Sequence, residues 1–187
     1  RVLFRSLQAT ADGLVAALMA ASIVLAPLGL HAWVPGSACA LNCPSWSISA
    51  EAFFYLVLPL VLVPIMRRPG RWLVEVLAGW LVMAIGAAAL WGLLDTGGSI
   101  LTMQGDRVGV LAAQVLKYLP LGRLPEFLLG VVLYAVWARH RAALSTARVA
   151  IGLLGGIILF CALLPAAPEI VVHNGLSALV WAPLIVW

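Results

Sequence analysis

The chain has 187 residues, 64% of them hydrophobic and 10% charged, with a formal net charge of +4 and a mean hydropathy of +1.11. A soluble globular domain is about half apolar and about a quarter charged, so this composition excludes that class. The apolar residues fall in runs near the roughly 20 residues that span a hydrocarbon core, not in the short alternating segments of a membrane β-barrel. The expected fold class is all-α integral membrane.

In chain order, six runs are long enough to span: 9–30, 49–66, 72–94, 121–138, 148–165 and 170–187. Arg1 and Arg5 precede the first run, and Arg67, Arg68 and Arg71 join the second to the third. Arg139, Arg141 and Arg148 join the fourth to the fifth, so eight of the eleven cations fall on one face of a six-span chain. The positive-inside rule makes that face cytoplasmic, in an inner or plasma membrane. Cations placed this way mark topology, and no nucleic-acid partner is expected. The outer face receives 31–48, 95–120 and 166–169. No soluble domain or repeat is visible. The chain reads as part of one domain, 1–187, cut at both ends: it opens on Arg1 rather than Met, and Trp187 closes inside an apolar run.

On the outer side, Cys39 and Cys43 lie four apart, where a disulfide is permitted. No histidine pattern accompanies them, so no metal site is expected. Within 95–120, Val108, Leu111, Ala112, Val115, Leu116 and Leu119 form a helical stripe that Arg107, Gln114 and Lys117 avoid. The expectation is an amphipathic helix on the outer interface, ended by Pro120, with a lid over a site as the alternative. Trp33, Trp46, Trp72, Trp91 and Trp137 fall near span ends, as an aromatic belt would. Gly152 and Gly156 form a small-xxx-small pair suited to close helix packing.

Ionisable residues inside spans are the informative ones, since each costs about 3 kcal/mol on insertion scales unless paired or wetted. Glu75 stands one turn from Arg71, as an interfacial pair, and Asp12 is close enough to the inner end of its span to snorkel. Glu51 is different. Ser47, Glu51 and Tyr55 stand at i, i+4 and i+8, placing hydroxyl, carboxylate and phenol on one helix face that enters from outside. A capping box does not account for them, because the residue three after Ser47 is Ala50. Arg123 and Glu126 enter from the same side; Pro125 and Glu126 also suit a first helical turn. His173, Asn174 and Gly175 begin the last run there too. Polar groups from the second, fourth and sixth runs thus converge on one leaflet, which predicts a polar cavity open to the outside.

Two stretches carry a resemblance. Ser-Trp-Ser-Ile-Ser-Ala-Glu-Ala-Phe-Phe-Tyr-Leu with the following Pro59 (45–59), and Arg-Leu-Pro-Glu-Phe-Leu-Leu-Gly (123–130), resemble signature segments of the acyltransferase 3 family of membrane-bound O-acyltransferases. Ala32-Trp33-Val34-Pro35 and His173-Asn174-Gly175 are similar to the family in the same order. The resemblance implies a roughly ten-helix domain of which this chain is an internal part. It implies transfer of an acyl group, often acetyl, from acyl-CoA to a hydroxyl of an extracytoplasmic or membrane-linked acceptor such as a surface glycan or a lipid. Taken with the converging polar groups, it marks Trp46, Ser47, Ser49, Glu51, Tyr55, Arg123, Glu126, His173 and Asn174 as the expected substrate-binding or site-supporting residues. The family's histidine and Arg-x-x-Arg motif have no counterpart here, so no catalytic base is assigned. No cofactor is implied beyond the acyl-CoA donor; the other partner is the lipid bilayer. The competing expectation is a transporter or flippase subunit, in which the same intramembrane charges line a substrate pathway. A non-catalytic scaffold leaves the three polar segments unexplained.

Overall fold

The computed structural model describes residues 13, 16–39, 42–94, 107–140, 146–165, 171–172 and 176–186. Among them every regular element is helical: α1 (Ala16–Leu25), 3-10 turns at His31–Trp33 and Cys43–Ser45, α2 (Trp46–Arg67), α3 (Pro69–Leu94), α4 (Arg107–Tyr118), α5 (Pro120–His140), α6 (Thr146–Leu163) and α7 (Ala178–Val186). Four stretches are long and apolar enough to cross a membrane: Cys43–Arg67, Pro69–Leu93, Ala112–His140 and Thr146–Leu163. They correspond to the second to fifth expected spans. The expected spans at 9–30 and 170–187 lie partly outside the described residues, and their described parts, α1 and α7, are shorter helices.

The apolar surface of these helices points outward. Leu56, Leu60, Val82 and Ile151 are at least 70% exposed, and only 6% of the α6 span is buried. So much exposed hydrocarbon is incompatible with water, and a lipid bilayer is the environment that satisfies it.

The core is built around α5, which packs against α2, α3, α4 and α7. Ile65, Val76, Leu129, Val132, Ala135 and Ala178 form its buried cluster, with Trp72 and Trp181 against it. Phe54 of α2 stacks on Phe127 near the start of α5, while Ile65 near the end of α2 clusters with Val132 and Ala135 further along α5. The two helices therefore run in the same direction. α3 runs against them: Val76 joins that cluster, and Ala87, farther along, packs with Ala113 of α4. Prolines do not interrupt α2, which continues through Pro59 and Pro64.

Local chemistry sets the boundaries. Pro120 opens α5, where its fixed φ and missing N–H cost nothing, and Leu119 alone separates α4 from α5. The predicted amphipathic helix forms as α4, and it packs on protein through Leu116 of its stripe and the neighbouring Ala113. Ala113 is buried against Ala87, with Ala88, Trp91 and Leu116 around the pair. The segment before α2 is drawn together by Gly29, at φ +68, whose carbonyl accepts the Ser49 hydroxyl. A disulfide joins Cys39 to Cys43, and the Cys43 sulfur lies 3.4 Å from the Tyr118 hydroxyl.

Candidate functional site

The parallel run of α2 and α5 brings their first turns side by side. Between them, with Trp181 of α7, lies an open cavity of about 460 Å³ lined by Trp46, Ser47, Glu51, Phe54, Arg123 and Glu126, together with Ala50 and Phe127.

Arg123 is the fixed point. It is 8% exposed, and its Nε and Nη2 donate to the Lys117 carbonyl at 3.2 and 3.0 Å. That carbonyl belongs to the last turn of α4, where no further helical N–H follows to claim it. Nη1 donates to Glu126 Oε1 at 3.2 Å, as an i, i+3 ion pair. The guanidinium also lies over the Trp46 ring, 5.6 Å from its centroid, and Trp46 in turn contacts Tyr118. The arginine is thus clamped between a helix end, a carboxylate and an aromatic face, all of which favour its charged form. It presents a preorganised positive charge to the cavity.

Across from it, Glu51 is exposed on the α2 face that lines the cavity. Ser47, one turn earlier, donates its hydroxyl to the Pro44 carbonyl at 3.1 Å. Trp46, Phe54, Phe127 and Trp181 supply aromatic walls, with Phe54 and Phe127 stacked at 4.6 Å and 8°. Rings alternating with two carboxylates and a guanidinium suit a ligand that is polar at its edges and flat or apolar on its faces.

Of the residues expected at the site, Trp46, Ser47, Glu51, Arg123 and Glu126 share this cavity. Ser49 does not line it. It is buried and its hydroxyl is given to the Gly29 carbonyl, tying α2 to the turn after α1. Tyr55 does not line it either; it is 68% exposed, because i+8 on a 3.6-residue helix drifts 80° from Ser47. His173 and Asn174 lie outside the described residues, as does Asp12. The sequence reading did not single out Phe54, Phe127 or Trp181. The first two had a signal: Phe54 stands three after Glu51, and Phe127 four after Arg123, so each shares its neighbour's helix face.

A second polar contact lies beside the site. His31 is buried, with its Nε2 3.0 Å from Ser45 Oγ. Ser45 gives its proton to the Asn42 carbonyl at 2.6 Å, so the imidazole is the donor to Ser45. The pair fixes the turn that leads into α2.

No known family, curated protein or solved structure matches the chain.

Proposed function

We propose that the chain is part of a membrane-bound O-acyltransferase that moves an acyl group, often acetyl, from acyl-CoA to a hydroxyl of a glycan or lipid acceptor. One observation carries this reading. The two stretches that resemble the acyltransferase 3 family, 45–59 and 123–130, are far apart in sequence yet contribute opposite walls of one cavity. In this reading 9–30 and 170–187 also span, giving six helices of a roughly ten-helix domain. The arginine-rich turns face the cytoplasm of an inner or plasma membrane, and the cavity opens to the outer side.

The chemistry assigns roles. In acyl transfer the acceptor oxygen attacks the thioester carbonyl, a C–O bond forms, the C–S bond breaks, and coenzyme A leaves as its thiol. The acceptor proton goes to a base, which the resemblance places in a histidine that is not among these residues. Arg123 supplies fixed positive charge near the oxyanion that develops. Glu51 accepts hydrogen bonds from acceptor hydroxyls and orients them, and Glu126 holds Arg123 in place.

The test is an assay on membranes containing the intact gene product, with acetyl-CoA labelled in its acetyl group. The expected result is label in a base-labile ester, with coenzyme A released in equal amount, and loss of both in Glu51→Gln. Labelled glycan crossing the membrane without acyl product would put the transporter reading first.

A further inference from the structure

At the opposite end of α2, three arginines crowd a turn of minimal length. Arg68 alone separates α2 from α3; its N–H bonds the Pro64 carbonyl, and its carbonyl accepts the Trp72 N–H, each at 3.2 Å. So short a connection leaves the side chains nowhere to disperse. Arg67, Arg68 and Arg71 surround an open cavity of about 370 Å³ with Pro64, Trp72 and Glu75. Glu75 is held by Arg71 at 2.7 Å. Three arginines less one glutamate leave a surplus of two positive charges around the cavity. α3 begins at Pro69, so the positive end of its dipole faces the same turn.

Topology by charge asks only that a loop be basic. It does not ask that guanidinium groups, a helix N-terminus and an indole gather round one hollow. The surface leading away from that hollow is hydrocarbon: Val63, Met66 and Val74 are exposed apolar side chains on the adjoining turns of α2 and α3. A ligand matching both halves is amphiphilic, with an anionic head and apolar chains attached directly to it.

The geometry points to a binding site at the α2–α3 turn for the phosphate headgroup of an anionic phospholipid. Arg67 and Arg68 take the phosphate oxygens, Trp72 seats the boundary between head and chains, and the chains follow Val63, Met66 and Val74. Guanidinium forks match phosphate oxygens in pairs, and basic pockets between membrane helices hold lipid headgroups in this way. Coenzyme A offers the same phosphate chemistry, but an acyl thioester carries its chain at the end remote from its phosphates and cannot occupy both halves at once. This site does not depend on the acyl-transfer reading.

The test is native mass spectrometry of the full chain released from nanodiscs made of equal parts phosphatidylglycerol and phosphatidylcholine. Wild type is expected to retain phosphatidylglycerol selectively. R67Q/R68Q is expected to lose that retention about twenty-five-fold, at about fivefold per arginine near a charged lipid surface. R67K/R68K keeps the charge should neutralisation impair folding, and is expected to keep part of the preference, since an ammonium retains the charge but not the fork. Equal retention of both lipids by wild type, or undiminished preference in R67Q/R68Q, overturns the site; so does a folded R67K/R68K that retains no more phosphatidylglycerol than phosphatidylcholine. Coenzyme A and inorganic phosphate, added separately, are expected to leave the bound lipid in place. Displacement by either assigns the pocket to a soluble phosphate and overturns the lipid.

Discussion

Three nitrogens of Arg123 are engaged, two on the Lys117 carbonyl and one on Glu126, so its removal has structural consequences before any chemical ones. Arg123→Ala uncaps the end of α4 and strands the Glu126 carboxylate, whose side chain is 21% exposed. Breaking a buried pair costs about 3–5 kcal/mol, and the residual exposure of Glu126 places this pair at the lower bound. The expected result is a thermal midpoint in detergent lower by on the order of 10 °C, at a few degrees per kcal/mol for this chain length. Arg123→Lys is expected in between, since an ammonium keeps the charge but not the fork. An unshifted midpoint in Arg123→Ala would mean that the clamp contributes nothing to the fold. The chemical question therefore belongs to Glu51, which is exposed in the cavity and has no hydrogen bond or ion pair among the described residues. Glu51→Gln is expected to melt within about 2 °C of wild type, as substitutions at exposed positions do. In the proposed acyltransferase reading, its acyl transfer is expected to fall about 100-fold, the usual scale for losing a positioned acid–base or orienting group. Tyr55→Phe tests the cavity boundary: Tyr55 is 68% exposed and outside the lining, so activity and midpoint should both hold.

At the scale of elements, length was legible and partners were not. The expected spans at 49–66, 72–94, 121–138 and 148–165 are the helices α2, α3, α5 and α6, with ends shifted by a few residues at most. The length of an apolar run needs no knowledge of neighbours, which is why these four were visible. α4 shows the opposite case. Its stripe was readable from 108 to 119, but an apolar stripe has the same period whether lipid or protein covers it. Only the fold shows that α3 lies against this helix, with Ala87 and Ala88 packed around Leu116 of the stripe and the neighbouring Ala113. The capping of α4 by Arg123 was hidden for a related reason, because the interaction runs from a side chain to a backbone carbonyl across the Leu119 break. The Arg71–Glu75 pair, a local i, i+4 contact, was readable and is formed. The site residues divide the same way: Ser47 and Glu51 share a face at one-turn spacing, whereas Ser49 was spent on the Gly29 carbonyl, a contact between segments. Gly29 sits at φ +68, so Gly29→Ala should destabilise by about 1 kcal/mol, the cost of left-handed backbone for a residue with a Cβ. Thermal or denaturant midpoints would register it; an unchanged midpoint would mean the turn relaxes to a different backbone. The Cys39–Cys43 bridge has its own test. Thiol alkylation of the denatured, unreduced protein should modify Cys161 alone, and all three cysteines after reduction. Three modified thiols without reductant would remove the bridge.

For the whole molecule, the arrangement of ends carries the functional reading. α2 and α5 run the same way, so the cavity beside Trp46 and Arg123 lies at one end of the bundle. The basic turn at Arg67, Arg68 and Arg71 lies at the other, together with Arg139 and His140 in the last turn of α5. A helix rises about 1.5 Å per residue, so the 22 residues of α2 cover about the thickness of a hydrocarbon core. A donor bound on one side and an acceptor on the other would therefore meet only through the interior, which gives the direction of the helices a functional meaning. It also makes the topology directly measurable. With Cys161 replaced by serine, single cysteines are introduced at Arg68, Arg139 and Ser47, and intact cells are treated with a maleimide that cannot cross membranes. Arg68→Cys and Arg139→Cys should respond alike, both protected until the membrane is opened if their end faces the cytoplasm. Ser47→Cys should show the opposite accessibility, being at the far end of the same helix. If Arg68→Cys and Ser47→Cys label from one side, α2 does not cross the bilayer, and the cavity and the basic turn share a compartment. If instead Arg68→Cys and Arg139→Cys differ, the parallel packing of α2 and α5 is wrong, and with it the convergence of 45–59 and 123–130 on one cavity, the observation on which acyl transfer rests.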